Sequence, residues 1–250
     1  MTIPRLKSVI AVTAFSVAAG VGGIVVADAD SGHVTESDIP NLGLVKTQIK
    51  AYYGDTGTAE PSPTSDYARE IGKIERKTER KMPRLVSRAD AAPVIVLDVD
   101  DTTLSTYNYE VTHDFGFDPV ENAAYIHDHG MGPVFGMPAL ANFASDLGAE
   151  VFYLTGRPET QRDDTMRDLA KAGYPDIVSD HLYMRNRTSP PPYLPCEPTC
   201  TTTQYKSLTR EHIESLGNDI VLNMGDQLSD LAGGFADYTA KVPNPMYYIP

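Results

Sequence analysis

The stretch VIVLDVDDTTLS, residues 94–105, sets Asp98, Asp100 and Asp101 directly after a run of branched apolar residues. Other chemistry-bearing residues follow other apolar runs. Thr155, Gly156 and Arg157 come after VFYL, Asp226 and Asp230 after IVLNMG, and Lys206 sits in QYKSLTR. Converging carboxylates repel one another and hold their protons more tightly, so clustering without a cation costs stability. A hard divalent ion removes that cost, and an oxygen-rich, histidine-poor set suits Mg²⁺ better than Zn²⁺. Lys206 and Thr155 are then available as donors for phosphate oxygens. A carboxylate nucleophile, an acid/base, a metal and an anion clamp form the inventory of phosphoryl transfer. Each part alone has a plainer reading. Aspartates at a strand-to-turn junction cap backbone amides, and Lys206 can be a solvated helix lysine, with Arg157 or Arg210 serving in its place.

Short apolar runs alternate with amphipathic segments from residue 93 onward, a pattern that predicts a parallel α/β sheet. Strands are expected at 94–98, 151–154, 181–184 and 220–224, and helices at 138–147, 158–172, 204–216 and 228–235. Ligands of such a sheet bind beyond the carboxyl ends of its strands, which is where the acids, the hydroxyl and the glycines fall. Upstream, LGLVKTQIKAYYG has helical spacing. After the linker TAEPSPTSD, with Ser65 and Asp66 as caps, a long charged helix carries Tyr67, Ile71, Ile74, Met82 and Leu85 on one side.

Residues 30–92 thus read as a helical lead-in and 93–250 as the core, with an insertion at about 105–137. That insertion is long for a plain connection and is expected to cover a functional mouth. Its aromatics, Tyr107, Tyr109, Phe115, Phe117 and Phe135, are read first as packing. His127 and His129 are read as solvated loop residues rather than metal ligands.

DVDDTT, LTGRP, the lysine of QYKSLTR and MGDQLSD resemble, in order and spacing, the four motifs of the haloacid dehalogenase-like (HAD) phosphohydrolases. VLDVDDTTLST, FYLTGRPE, NMGDQLSDL and KVPNPMYYIP are similar to its exported acid phosphatases, the group with plant acid phosphatases, vegetative storage proteins and bacterial lipoprotein e. The resemblance spans about residues 40–250. It implies a Rossmann-like three-layer sandwich with sheet order 5-4-1-2-3, N-terminal helices and a small cap after the first strand.

The resemblance further implies that Asp98 attacks phosphorus and becomes an aspartyl phosphate, while Asp100 is general acid and then base. Thr155, Gly156 and Lys206 would bind the phosphoryl group. Mg²⁺ would sit on the Asp98 carboxylate, the Asp100 carbonyl and Asp226, with Asp230 in support or bridged by water. Most of the superfamily has glycine at the position of Asp101, and an acid there is typical of the exported acid phosphatases. The expected activity is hydrolysis of small phosphomonoesters. The alternatives are a phosphotransferase of the same fold, or an exported storage or binding protein with weak catalysis.

Arg5 and Lys7, an apolar run and Ala27-Asp28-Ala29 read as a secretory signal, residues 1–29, cleaved after Ala29. An uncleaved anchor is the alternative, since the run approaches a bilayer-spanning length. No later segment is apolar enough for stable membrane insertion. Lys and Arg number 21 against 34 Asp and Glu, a net charge of −13 with no basic patch, so no nucleic-acid polymer is expected as partner. The only cysteines, Cys196 and Cys200, are expected to form a local disulfide in an oxidising compartment.

Overall fold

The computed structural model describes residues 38–250. The expected signal, 1–29, and its cleavage site after Ala29 lie outside the described residues. From Leu42 onward the chain forms one compact unit around five parallel strands: β1 (Ala92–Leu97), β2 (Glu150–Pro158), β3 (Leu182–Arg185), β4 (Asn218–Gly225) and β5 (Thr239–Lys241). Their order is β3-β2-β1-β4-β5, the expected arrangement read from the other edge.

The central strand β1 has the sequence APVIVL because both of its faces are covered. Ile95 and Leu97 point with Val151, Tyr153 and Met224 into one core, and Val94 and Val96 with Phe152, Leu154 and Ile220 into another. The first core is closed by α1 (Leu42–Tyr53), α2 (Asp66–Glu79), α3 (Met82–Val86) and α6 (Met137–Asp146) through Tyr53, Tyr67, Ile71, Met82 and Leu140. The second is closed by α8 (Thr202–Ser215) through Tyr205 and Ile213. Three layers result. Ser65 caps α2 as expected, its hydroxyl accepting from Ala68 N at 3.1 Å.

Several boundaries differ from expectation, each for a local reason. The charged helix does not run unbroken to Leu85: it ends at Glu79, and α3 restarts with Pro83 in its first turn, where a missing N–H is harmless. β2 continues past Leu154 through Thr155, Gly156 and Arg157, because pairing with β3 resumes at Pro158 after a register shift. The helix expected at 158–172 opens as a 3-10 turn, and α7 itself spans Arg162–Lys171. The segment at 228–235 shortens to α9 (Leu228–Leu231), ahead of Gly233 and Gly234, both at positive φ. The insertion folds into α4 (Tyr107–Thr112) and α5 (Pro119–Asp128). Tyr107 and Tyr109 are buried in it, whereas Phe117 is exposed.

Candidate active site

Asp98 follows β1 immediately, its N–H bonded to Met224 O of β4 at 3.0 Å, so two central strands fix where its side chain starts. Asp226 follows Gly225 at the end of β4, and Asp230 lies in the short α9 beyond it. One carboxylate oxygen from each of Asp98, Asp226 and Asp230 lies within 4.8 Å of the others, all three residues being buried. Gly225 is what permits this: a Cβ there would stand 2.3 Å from Asp230 Cβ.

α8 brings Lys206 into the cluster from the opposite layer. Its capping box, Thr201 with Gln204, fixes where the helix begins and hence which face carries the lysine. The Lys206 ammonium bonds Asp98 Oδ1, Asp230 Oδ1 at 3.0 Å and the Leu154 carbonyl at 2.6 Å, so all of its donors are engaged within the protein. Three carboxylates, if all ionised, would leave two negative charges uncompensated by the one ammonium.

The proton affinities reflect that imbalance. Burial raises the Asp98 pKa well above the carboxylate range; Lys206 opposes this, and Asp230, Asp226 and Asp100 add to it. Burial and then Asp230 push Asp226 up to about 6. Such a set, with only oxygen donors and excess negative charge, fits a hard divalent cation. No histidine or cysteine among the described residues joins it. His127 instead pairs with Asp164 at 3.1 Å, and His129 stacks on Tyr125.

Asp100 is not one of the three grouped carboxylates. Arg157, buried on β2, grips it with Nη2 at 2.7 Å and Nε at 3.0 Å from Oδ1, and its Nη1 is held by Thr165 Oγ1 at 3.0 Å. Thr155 Oγ1 lies 3.5 Å from Asp100 Oδ2 and accepts from Arg157 N at 3.1 Å. Gly156 is exposed, and a Cβ on it would meet nothing within 4 Å.

Asp101 is fully buried with φ 54°, the left-handed region that glycine enters freely and aspartate tolerates. Its carboxylate accepts from Thr106 N at 3.0 Å, from Thr106 Oγ1 and from Tyr247 OH at 2.8 Å. Burial, reinforced by Asp226, raises its pKa to about 8. A glycine would make the turn and forfeit these anchors.

The structure therefore brings Asp98, Asp226, Asp230 and Lys206 together, with Asp100, Thr155 and Gly156 beside them. Arg157 as the partner of Asp100 is not among the sequence-based expectations, although its place directly after the strand-end Thr-Gly is a usable signal. Gln227, Asn244 and Tyr247, neutral donors to Asp226 and Asp101, escape a reading of the sequence because no charge marks them. Beyond Arg157, Met131 Sδ lies 3.0 Å from Nη2 and lines a cleft of about 610 Å³ together with Asn108, Tyr125 and Phe135 of the insertion. The expected Cys196–Cys200 disulfide is present, at the base of the loop leading into α8.

Comparison with known proteins identifies the family. Residues 23–250 match the family described as HAD superfamily, subfamily IIIB (Acid phosphatase). Acid phosphatase 1 of Solanum lycopersicum is 35% identical over 188 residues, which is 73% of this chain and 69% of the tomato protein. Vegetative storage protein 2 of Arabidopsis thaliana is 29% identical over 170 residues, 66% of this chain and 60% of that relative. The class C acid phosphatase from Bacillus anthracis shares the fold, with a TM-score of 0.63 at 21% identity, over 82% of this chain and 86% of its own. With motif order, sheet order and family match in agreement, the chain belongs to HAD superfamily subfamily IIIB, the acid phosphatases, a family of phosphoric monoester hydrolases.

Proposed function

We propose that the protein is an exported, Mg²⁺-dependent acid phosphatase that hydrolyses small phosphomonoesters through an aspartyl phosphate on Asp98. The observation that carries this reading is the convergence of Asp98, Asp226 and Asp230 within 4.8 Å, with Lys206 bonded to Asp98. Asp98 attacks phosphorus as the P–O bond to the leaving group breaks, and Asp100 gives that oxygen its proton. Asp100 then takes a proton from a water that attacks the phosphoenzyme, releasing inorganic phosphate and restoring the Asp98 carboxylate. Arg157 holds Asp100 on the β2 side, and Thr155, the Gly156 backbone and Lys206 receive the phosphoryl oxygens, Lys206 exchanging one of its carboxylate bonds for a phosphoryl oxygen. The Asp98 and Asp226 carboxylates and the Asp100 carbonyl, with Asp230 in support, would hold a divalent cation, which would supply charge neutralisation for the transferring group.

The open space at Gly156 supports an approach of phosphate to bare backbone there. The cleft beyond Met131 supports a leaving group extending toward the insertion. Export is supported by the signal-like segment 1–29 and by the Cys196–Cys200 disulfide, which suits an oxidising compartment. Among the described residues no helix is long and apolar enough to cross a membrane. A storage role is raised by the name of the Arabidopsis relative, and the presence of Asp98 speaks for turnover.

Beryllofluoride, a mimic of the aspartyl phosphate, is expected to bind the wild type with Mg²⁺ and to abolish turnover, and Asp98→Asn to lose both binding and turnover. An Asp98→Asn protein that hydrolyses a generic phosphomonoester at the wild-type rate overturns the mechanism.

A further inference from the structure

Residues 243–250 have no regular secondary structure, yet they are tied to the site by side chains of the motifs themselves. Asn244 Nδ2 donates to Asp226 Oδ2 at 2.7 Å, and Asn244 Oδ1 accepts from Met246 N at 2.8 Å. The second bond fixes which end of the amide faces the carboxylate, since reversing it would aim a carbonyl at Asp226 and an NH₂ at an N–H. Gln227 Nε2 donates to the same Asp226 Oδ2 at 2.6 Å, and Gln227 Oε1 accepts from Ile249 N at 3.1 Å. Tyr247 OH donates to Asp101 Oδ2 at 2.8 Å, and Ser229 Oγ to the Ile249 carbonyl at 3.2 Å.

These bonds have a directional effect on Asp226. Its Oδ2 is filled by two amide donors, whereas among the described residues Oδ1 has only a long 3.4 Å contact from Thr102 Oγ1. A carboxylate held this way has one oxygen committed to the protein and the other available to a cation. We propose that the segment 243–250 is a strap that sets the metal-binding posture of Asp226, with Asn244 as the positioning residue and Tyr247 on Asp101 as the anchor. This rests on the reading of Asp226 as a cation ligand. Asp101 thereby gains a role of its own. Where glycine would merely complete the turn, the acid supplies the fixed point to which the strap is fastened.

The test is a titration of the metal-free protein with Mn²⁺ alone, followed by electron paramagnetic resonance, for wild type, Asn244→Ala, Tyr247→Phe and Tyr248→Ala. Partners that orient a ligand typically contribute 10- to 100-fold in metal affinity, so Asn244→Ala is expected to weaken Mn²⁺ binding by about 10-fold. Tyr247→Phe should weaken it in the same direction by a smaller factor. Tyr248→Ala, on an exposed side chain of the same segment, should leave it unchanged. In turnover, Asn244→Ala should raise the Mg²⁺ concentration for half-maximal rate while excess Mg²⁺ restores kcat, a split that general loosening of the fold does not produce.

Circular dichroism checks folding; should Asn244→Ala fail to fold, Tyr247→Phe carries the test. Wild-type Mn²⁺ affinity in folded Asn244→Ala and Tyr247→Phe overturns the strap and leaves the metal reading intact. A wild type that binds no Mn²⁺ overturns both.

Discussion

Lys206 faces Asp98 and Asp230 directly, with Asp226 in the same cluster, and all four residues are buried. Removing one partner of a buried ion pair typically costs about 3–5 kcal/mol because the remaining charge is stranded. Lys206→Met keeps most of the side chain's length and deletes its charge, so urea unfolding in a chelator should show a loss of about that size. The same measurement with Mg²⁺ should show a smaller loss, since a divalent ion replaces the missing positive charge. Equal losses in both conditions would count against a cation at this cluster. At this scale the chain is readable where charge marks the residue: Asp98, Asp226, Asp230 and Lys206 all stand out at strand or helix positions. Arg157 itself is marked by its place directly after Thr155-Gly156, but its bond to Asp100 is not, because nothing in a linear sequence says which acid, here 57 residues earlier, that base will meet.

The elements differ in how firmly each holds its functional side chain. β1 and β4 are central and buried, so Asp98 and Asp226 inherit the rigidity of the sheet. α8 depends on its start, which Thr201 and Gln204 cap and which the Cys196–Cys200 loop precedes. A disulfide across a separation of only four residues removes little unfolded-state entropy, about 2 kcal/mol. Replacing both cysteines by serine should therefore lower the unfolding free energy by about 2 kcal/mol without altering the sheet, read by denaturant unfolding with far-ultraviolet circular dichroism. A change in Mg²⁺ affinity larger than twofold would mean that the loop also holds Lys206 in place. Strong periodicity makes β1, β2, β4 and α8 legible. β5 is not, because its three residues TAK carry no pattern and become a strand only by pairing with β4. The extension of β2 through Thr155-Gly156-Arg157 is equally hidden, since β3 supplies the pairing that continues it.

Across the whole molecule, burial of acids shapes the response to pH. Glu110, on α4 of the insertion, has its pKa raised from 4.5 to about 7 by burial and then by Asp100. The folded protein holds this proton where the unfolded chain releases it. Its contribution is thus fully present below about pH 4.5 and is lost as pH rises to about 7. Glu110→Gln mimics the protonated form, so the variant and wild type should match near pH 4.5 and diverge by neutrality, with the variant more stable by on the order of 2 kcal/mol after allowance for screening. Urea unfolding of both proteins at pH 4.5 and pH 7.5 measures this; parallel curves would show that Glu110 does not take part. The order of the sheet is legible from the motif order, whereas the role of residues 243–250 is not, because it rests on amide and hydroxyl bonds between distant segments.

Those distant bonds also impose an order in time. Asp98 precedes Lys206 by 108 residues and Asp101 precedes Tyr247 by 146. At a translation rate of about 5–20 residues per second, roughly 7 to 30 s separate the making of Asp101 from that of its anchor. A nascent chain therefore carries Asp98 and Asp101 long before Lys206 and Tyr247 exist to pair with them, and the cluster closes only when nearly the whole domain has emerged.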